Sequence, residues 1–249
     1  MKKLKVAYLS DTHDKHNDVE IPECDMIIHG GDFTNFGRLT EVSSFIYWYE
    51  NLNIKHKVLV CGNHEVMISK QFHVLQQMCQ SKNIRLLDNS AVEIEGLKIW
   101  GSPYSVLFGD WVFMDTDDKL AAIWKQIPGD ADLVITHTPA FGVLDYSLMG
   151  HNNCGSASLL TELERIKPLL HMCGHIHESR GLQVISGTPT ISANGAVVSA
   201  NARAVEYKPY LFEISIDDAG KKTIEVLQPE GLNRLLKHEQ EASVLGAKK

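Results

Sequence analysis

A chain of 249 residues with 44% hydrophobic content is long enough to bury a substantial core. Its net charge of −7 argues against a surface built for long nucleic acid, which relies on many lysines and arginines to neutralise phosphates. Its five cysteines are an odd number with no Cys-x-x-Cys pair, which excludes a disulfide framework or a thiolate zinc site as the organising feature.

No Pro/Gly/Ser-rich linker, low-complexity run or fixed-period repeat divides the chain. One domain is expected over residues 1–230, followed by a polar tail, 231–249, read as a short fraying helix. The basic start Met1 to Lys5 resembles that of a signal peptide, but the apolar run Val6 to Leu9 is broken by Ser10 and Asp11. No run approaches the roughly 18 apolar residues of a membrane span. The expectation is a soluble, cytoplasmic protein without a membrane partner, its oligomeric state open.

In chain order, Leu4 to Ser10 reads as a strand running into Asp11-Thr12-His13. Residues two apart in extended chain point the same way, so Asp11 and His13 can close on one ion. A carboxylate with an imidazole suits Mn, Fe or Zn. A second strand, Met26 to Ile28, leads into His29-Gly30-Gly31-Asp32-Phe33-Thr34, which leaves Asp32 at a strand's carboxyl end with space before it. Arg38 to Asn51 carries a helical stripe, and its aromatics read as packing. The strand Lys57 to Cys61 then delivers Gly62-Asn63-His64-Glu65. There Asn63 is a neutral oxygen donor and His64 can reach toward substrate. Read structurally, the same residues cap the next helix, expected over Ser69 to Lys82.

Ala91 to Ile94 and Leu97 to Trp100 alternate around Glu95-Gly96 as a β-hairpin. Gly101 to Thr116 is a long loop rich in aromatic residues and a candidate cover for a pocket. A helix over Asp117 to Gln126 and a strand over Asp132 to Thr136 follow, the latter ending in His137-Thr138-Pro139. Ala157 to Lys167 reads as a helix. Leu169 to Cys173 reads as a strand opening into Gly174-His175-Ile176-His177, where the two-apart spacing returns with two imidazoles. Further strands are expected over Leu182 to Ile185, Thr188 to Ser192, Tyr210 to Ile216 and Thr223 to Gln228. Asn194 lies just beyond one of them and either approaches substrate or makes a turn.

Five successive strand ends thus carry Asp11 and His13, Asp32, Asn63, His137, and His175 and His177. In an α/β sheet the carboxyl ends of strands open into the ligand crevice, so these loops can converge. They fill two metal sites: Asp11, His13 and His177 on one ion, Asn63, His137 and His175 on the other, with Asp32 bridging. Two divalent ions about 3.5 to 4 Å apart can bind an ester phosphate, acidify a bridging water and stabilise an in-line displacement.

The ordered set Asp-x-His, Gly-Asp, Gly-Asn-His-Glu, His-x-Pro and Gly-His-x-His, spanning Asp11 to His177, resembles the calcineurin-like metallophosphoesterases. The resemblance implies a four-layer α/β/β/α sandwich of two mixed sheets, and a role for His64 at the leaving group. Within that family the Asp11, Asp32 and His175 motifs, with Asn194 and Lys208-Pro209, are most similar to the metallophosphoesterase-domain-containing phosphodiesterases. The Gly-Asp-x-x-Asp-Arg-Gly pattern of the serine/threonine phosphatases is absent, as is an arginine beside Gly-Asn-His-Glu. The expected activity is therefore hydrolysis of a small phosphodiester, nucleotide-type or cyclic, with catalytic His64 and Asp32, substrate contacts from His64, Asn63 and Asn194, and two divalent metals. Mn is favoured, and Fe, Zn or Co are also compatible. The alternatives are a phosphomonoesterase, a nuclease acting on DNA ends, and a non-catalytic metal-binding scaffold.

Overall fold

The structure, a computed structural model, describes residues 1–150 and 152–227. The expected tail, 231–249, lies outside the described residues, as does Gln228. The strands in chain order are β1 (Lys2–Leu9), β2 (Met26–His29), β3 (His56–Val60), β4 (Ile84–Leu87), β5 (Ser90–Ile94), β6 (Leu97–Ser102), β7 (Ser105–Val106), β8 (Met114–Asp115), β9 (Leu133–Thr136), β10 (Tyr146–Ser147), β11 (Asn152–Asn153), β12 (Leu170–Cys173), β13 (Gly181–Val184), β14 (Ile191–Asn194), β15 (Tyr210–Ile216) and β16 (Lys222–Val226). The helices are α1 (Leu39–Asn51), α2 (Val66–Ser69), α3 (Phe72–Ser81), α4 (Asp117–Trp124) and α5 (Ala157–Ile166).

Twelve of the strands form two six-stranded sheets, ordered β16-β15-β1-β2-β3-β4 and β13-β14-β12-β9-β6-β5. The inner strands run parallel, from β1 to β4 in the first sheet and from β6 through β9 and β12 to β14 in the second. Antiparallel partners close the outer positions, with β15 on β1 and β13 on β14. The inner strands are apolar on both faces, as parallel strands covered on both sides must be. Val6 and Tyr8 point into the layer between the sheets, with Ile28, Val60, Ile135 and Met172. Their neighbours Ala7 and Leu9 face the α1 and α3 side, beside Phe45, Tyr49 and Leu75. Trp100 and Val134 pack on the other flank against Leu120, Trp124, Leu159 and Leu163 of α4 and α5. Helix, sheet, sheet, helix is the four-layer sandwich expected, and it aims the carboxyl ends of β1, β2, β3, β9 and β12 at one crevice.

Several local expectations change. One helix over Ser69 to Lys82 is instead two, α2 and α3, parted at Lys70 and Gln71. The strand expected at Thr188 to Ser192 lies later, at Ile191–Asn194: Gly187 has φ +74°, the backbone N–H of Thr188 donates to the Ile185 carbonyl, and Pro189 has no N–H to give a ladder. The strand β4 has no counterpart in the sequence reading. The long loop Gly101 to Thr116 is partly ordered by the parallel pair β7 and β8.

Candidate metal centre

The side chains expected to gather do gather. The ring nitrogens and carboxylate oxygens of Asp11, His13 and His177 lie within 4.8 Å of one another, as do those of Asp32, His137 and His175, and those of His13, Asp32 and His64. Each of the first two groups draws on loops from both sheets.

The loops reach this arrangement by a route that extended-strand spacing does not describe. Asp11, His13, Asp32 and His175 have φ of +56°, +42°, +52° and +67°, a left-handed conformation that non-glycine residues seldom adopt. The two-apart argument for Asp11 with His13, and for His175 with His177, therefore fails as geometry, although Asp11 and His13 do come together, while His175 and His177 fall in different groups. Each such residue costs on the order of 1–3 kcal/mol, and the surrounding structure must over-determine it. That support is visible. The Asp11 carboxylate accepts from the His175 backbone N–H at 3.0 and 3.1 Å, and Asp32 Oδ1 accepts from the His64 N–H at 2.8 Å. Glycine is required where these carboxylates press on the backbone. A β-carbon on Gly174 would lie 2.1 Å from Asp11 Oδ2, and one on Gly62 would lie 2.3 Å from Asp32 Oδ1.

Glu65 occupies the N-cap position of α2, but its side chain makes no capping bond there. Its buried carboxylate accepts from the backbone N–H groups of Gly62 (2.6 Å), Thr34 (3.0 Å) and Asp32 (3.1 Å), and from Thr34 Oγ1 (2.9 Å). It thus ties the Asp32 turn to the Asn63 loop. Burial and the charge of Asp32 push its carboxyl up to about 8, against the pull of these donors. The sequence signal was the Glu itself, following Gly-Asn-His, but nothing in the spacing tells a cap from a clamp.

Three of the histidines, His137, His177 and His64, are each oriented by a backbone carbonyl. A carbonyl oxygen can only accept, so His137 Nδ1–H donates to Gly30 O (3.0 Å), His177 Nδ1–H to Ser199 O (3.0 Å) and His64 Nδ1–H to Asn35 O (2.8 Å). In each ring Nε2 is left for the crevice. His137 Nε2 stands 3.2 Å from Asp32 Oδ2 and 3.1 Å from Asn63 Oδ1. His177 Nε2 stands 3.2 Å from Asp11 Oδ1 and 3.2 Å from His13 Nε2. Two ligand atoms each about 2.1 Å from one ion lie about 3.0 to 3.4 Å apart, so these separations fit donors converging on cations. A carbonyl behind each ring, fixing its tautomer, is the outer support that such ligands use. Asp32 Oδ2 lies between the two groups, 3.2 Å from His137 Nε2 and 3.9 Å from His13 Nε2.

Electrostatics agree with the donor set. Burial opposes the ionisation of Asp11 and Asp32, yet the adjacent imidazoles hold both carboxyls below their usual range. Burial also opposes charge on His137 and His177, but the carboxylates beside them raise both to about 9. Burial keeps His13 (about 4) and His175 (about 3) neutral. Positive charge is wanted here, and in the absence of metal, protons supply it.

Asn194, expected as a substrate contact, is fully buried and outside the cleft lining. Its Nδ2 donates to Ile176 O (2.9 Å) and its Oδ1 accepts from the Ala196 N–H (3.2 Å), which steadies the loop carrying His175 and His177. His29 and Thr34 also stay behind the site, His29 on Thr12 and Thr34 on Glu65. The cleft above the centre has a volume of about 670 Å³ and a wall that includes Leu107, Phe108, Phe141 and Met149. The Phe108 ring lies 5.3 Å from that of His175, and Trp111 stacks on His64 at 4.3 Å. The sequence showed these aromatics in a loop without periodicity and gave no sign of which of them reach the site.

A calcineurin-like phosphoesterase family profile matches residues 4–179, the stretch that contains every motif of the centre. The chain belongs to the calcineurin-like phosphoesterase family. Metallophosphoesterase domain-containing protein 1 of Homo sapiens is 32% identical over 232 residues, covering 84% of this chain and 69% of that protein. A UPF0046 protein of Caenorhabditis elegans is 34% identical over 233 residues, covering 86% and 82%. TT1561 of Thermus thermophilus shares the fold, with a TM-score of 0.60 at 13% identity over 91% of this chain and all of that one (100%). Membership makes this a phosphate-ester hydrolase of a metal-dependent family, with candidate ligands in the groups above. No helix among the described residues is long and apolar enough to cross a membrane.

Proposed function

We propose that this phosphoesterase is a two-metal phosphodiesterase acting on a small, nucleotide-type or cyclic diester. Asp11, His13 and His177 would hold one divalent ion, Asn63, His137 and His175 the other, and Asp32 both. The observation that carries this reading is the position of Asp32 Oδ2 between two otherwise separate donor groups. Nitrogen and oxygen donors favour Mn, Fe, Zn or Co over Ca, and Mn is our first expectation. When bound, the ions would neutralise the phosphate and generate a nucleophile from water in line with the leaving oxygen.

The chain's own residues divide the rest of the work. Asn63 and His64 line the cleft, and His64, held by Asn35 through Nδ1–H, would in its imidazolium form carry a second proton on Nε2 that passes to the leaving oxygen, leaving the neutral ring on Asn35. Among the described residues no lysine or arginine lines the cleft. That supports a singly charged diester, for which two cations suffice, over a dianionic monoester or a substrate with further phosphates. The acidic balance of the chain, −7, points away from long nucleic acid in the same way.

The test is elemental analysis of the isolated protein together with turnover of bis(4-nitrophenyl) phosphate and 4-nitrophenyl phosphate. Two transition-metal ions per chain and a preference for the diester are expected. A strong preference for the monoester would make this a phosphomonoesterase, and a chain that binds metal without turning over either ester would be a scaffold.

A further inference from the structure

We infer that Trp111 is a positioning residue for His64, holding the imidazole in the one orientation that presents Nε2 to the leaving group. This rests on the reading of His64 as the residue that serves the leaving oxygen.

The His64 ring is held on three sides. Its Nδ1–H donates to the Asn35 carbonyl at 2.8 Å, and its edge meets the His13 ring at 4.6 Å and 85°. The Trp111 indole covers a face, with centroids 4.3 Å apart and planes 30° apart. The Asn35 bond keeps one proton on Nδ1, so the proton given to the leaving oxygen is the second one, on Nε2 of the imidazolium, but one hydrogen bond leaves the ring free to swing about it. A stacked indole removes that freedom, because the ring would have to leave a flat contact to turn. His64 lines the cleft and Trp111 does not, so the contact of the indole with the site runs through the histidine. A side chain positioned in this way must itself be anchored, and Trp111 is. The two ends of its loop are pinned by the Ser105 N–H on Phe113 O (2.8 Å) and the Leu107 N–H on Asp115 O (2.9 Å). The neighbouring Phe113 packs edge-on against Phe72 and Tyr104, at 6.0 and 5.9 Å.

A proton donor matters only when the leaving group needs a proton. The experiment therefore uses metal-loaded protein and a series of aryl methyl phosphates, from 4-nitrophenyl, which departs as the anion, to phenyl, which does not. Trp111→Ala should lower kcat for the phenyl ester about tenfold and for the 4-nitrophenyl ester less than about twofold, with KM and metal content unchanged. Trp111→Phe should restore most of the loss. Trp111→Ala combined with His64→Ala should be no worse than His64→Ala alone, since the two changes remove one function. In metal-free protein, the Cε1–H resonance of His64 should lose its ring-current shift in Trp111→Ala. Equal losses on both esters, a change in KM alone, or an unmoved His64 resonance would overturn the assignment. If His64→Ala itself shows no dependence on the leaving group, the role given to His64 fails first. If His64→Ala shows that dependence and Trp111→Ala does not, only the role of Trp111 fails.

Discussion

Two pairs of buried or largely buried histidines in this fold have opposite chemistry. Burial pushes His29 and His171 down to about 3, whereas the carboxylates beside His137 and His177 raise those two to about 9. The difference lies in what each second nitrogen meets. Thr136 Oγ1 gives its proton to Thr138 O, so it accepts from His171 Nε2–H at 2.9 Å, and His171 Nδ1 accepts from Ser192 Oγ. His29 is closed likewise: its Nδ1 accepts from the Gly31 N–H, and Nε2–H donates to Thr12 Oγ1. His137 and His177 use one nitrogen on a carbonyl and turn the other toward a carboxylate. Burial therefore does not make a ligand; an unfinished set of acceptors around the second nitrogen does.

The sharpest way to break this comparison is Asp32→Asn, which removes the carboxylate charge shared by both donor groups. Activity should fall by roughly a thousandfold or more, and elemental analysis should show both ions lost. One ion remaining fully bound would end the bridging role. Next in size, His137→Ala should cost one ion and about a hundredfold in turnover, while His171→Ala should keep both ions. The latter would instead destabilise the fold by about 2–3 kcal/mol, because it strands two buried hydroxyls, and thermal melting would register it. Metal loss from the His171 variant would erase the distinction.

Smaller still is the acid response of the closed pair. The folded pKa values of His29 and His171 lie below the unfolded 6.5, so the unfolded chain binds more protons between pH 6.5 and 3. Their neutral forms contribute full stability above pH 6.5, and that contribution is lost as pH falls toward 3. From pH 6.5 to 5 each should cost on the order of 2 kcal/mol, seen as a lower urea midpoint. A midpoint that does not move, or a His171→Phe variant with an unchanged pH slope, would show the ring is charged in the fold. The least effect is expected from Phe108→Ala, a few-fold rise in KM for aryl diesters at unchanged metal content, because Phe108 offers the cleft a face beside His175.

Most of the centre was legible because its residue types are few and their order along the chain is fixed by the strands that deliver them. Asp11, Asp32, Asn63, His137, His175 and His177 all follow strands whose apolar runs are plain. What misled was conformation. Extended geometry explained the spacing of Asp11 and His13, yet the chain turns left-handed there, which only tertiary support can impose. Glu65 looked like a cap since carboxylates at helix starts usually are, and its side chain instead joins Gly62 of its own loop to Asp32 and Thr34, some thirty residues earlier in the chain. Asn194 was recognisable as important but not as a brace for someone else's loop. The aromatics of residues 101–116 carry no periodicity, so Trp111 and Phe108 could not be told from Phe113, which packs inward.

The hydroxyl of Tyr8, in the first sheet, donates to the Cys173 carbonyl at the end of β12 in the second, at 2.6 Å. Beside it the Ser10 N–H reaches the Gly195 carbonyl at 2.8 Å. These bonds cross the seam between the sheets directly beneath the crevice, and each proposed ion would cross the same seam, with Asp11 and His13 facing His177 and Asn63 facing His137 and His175. The candidate metal centre would thereby also be a joint: the ions would add to these hydrogen bonds in riveting two halves of the sandwich that elsewhere meet mainly through apolar side chains. Stripping them with a chelator should be felt as mechanical loosening, with faster hydrogen exchange at the ends of β1 and β12 than at their starts.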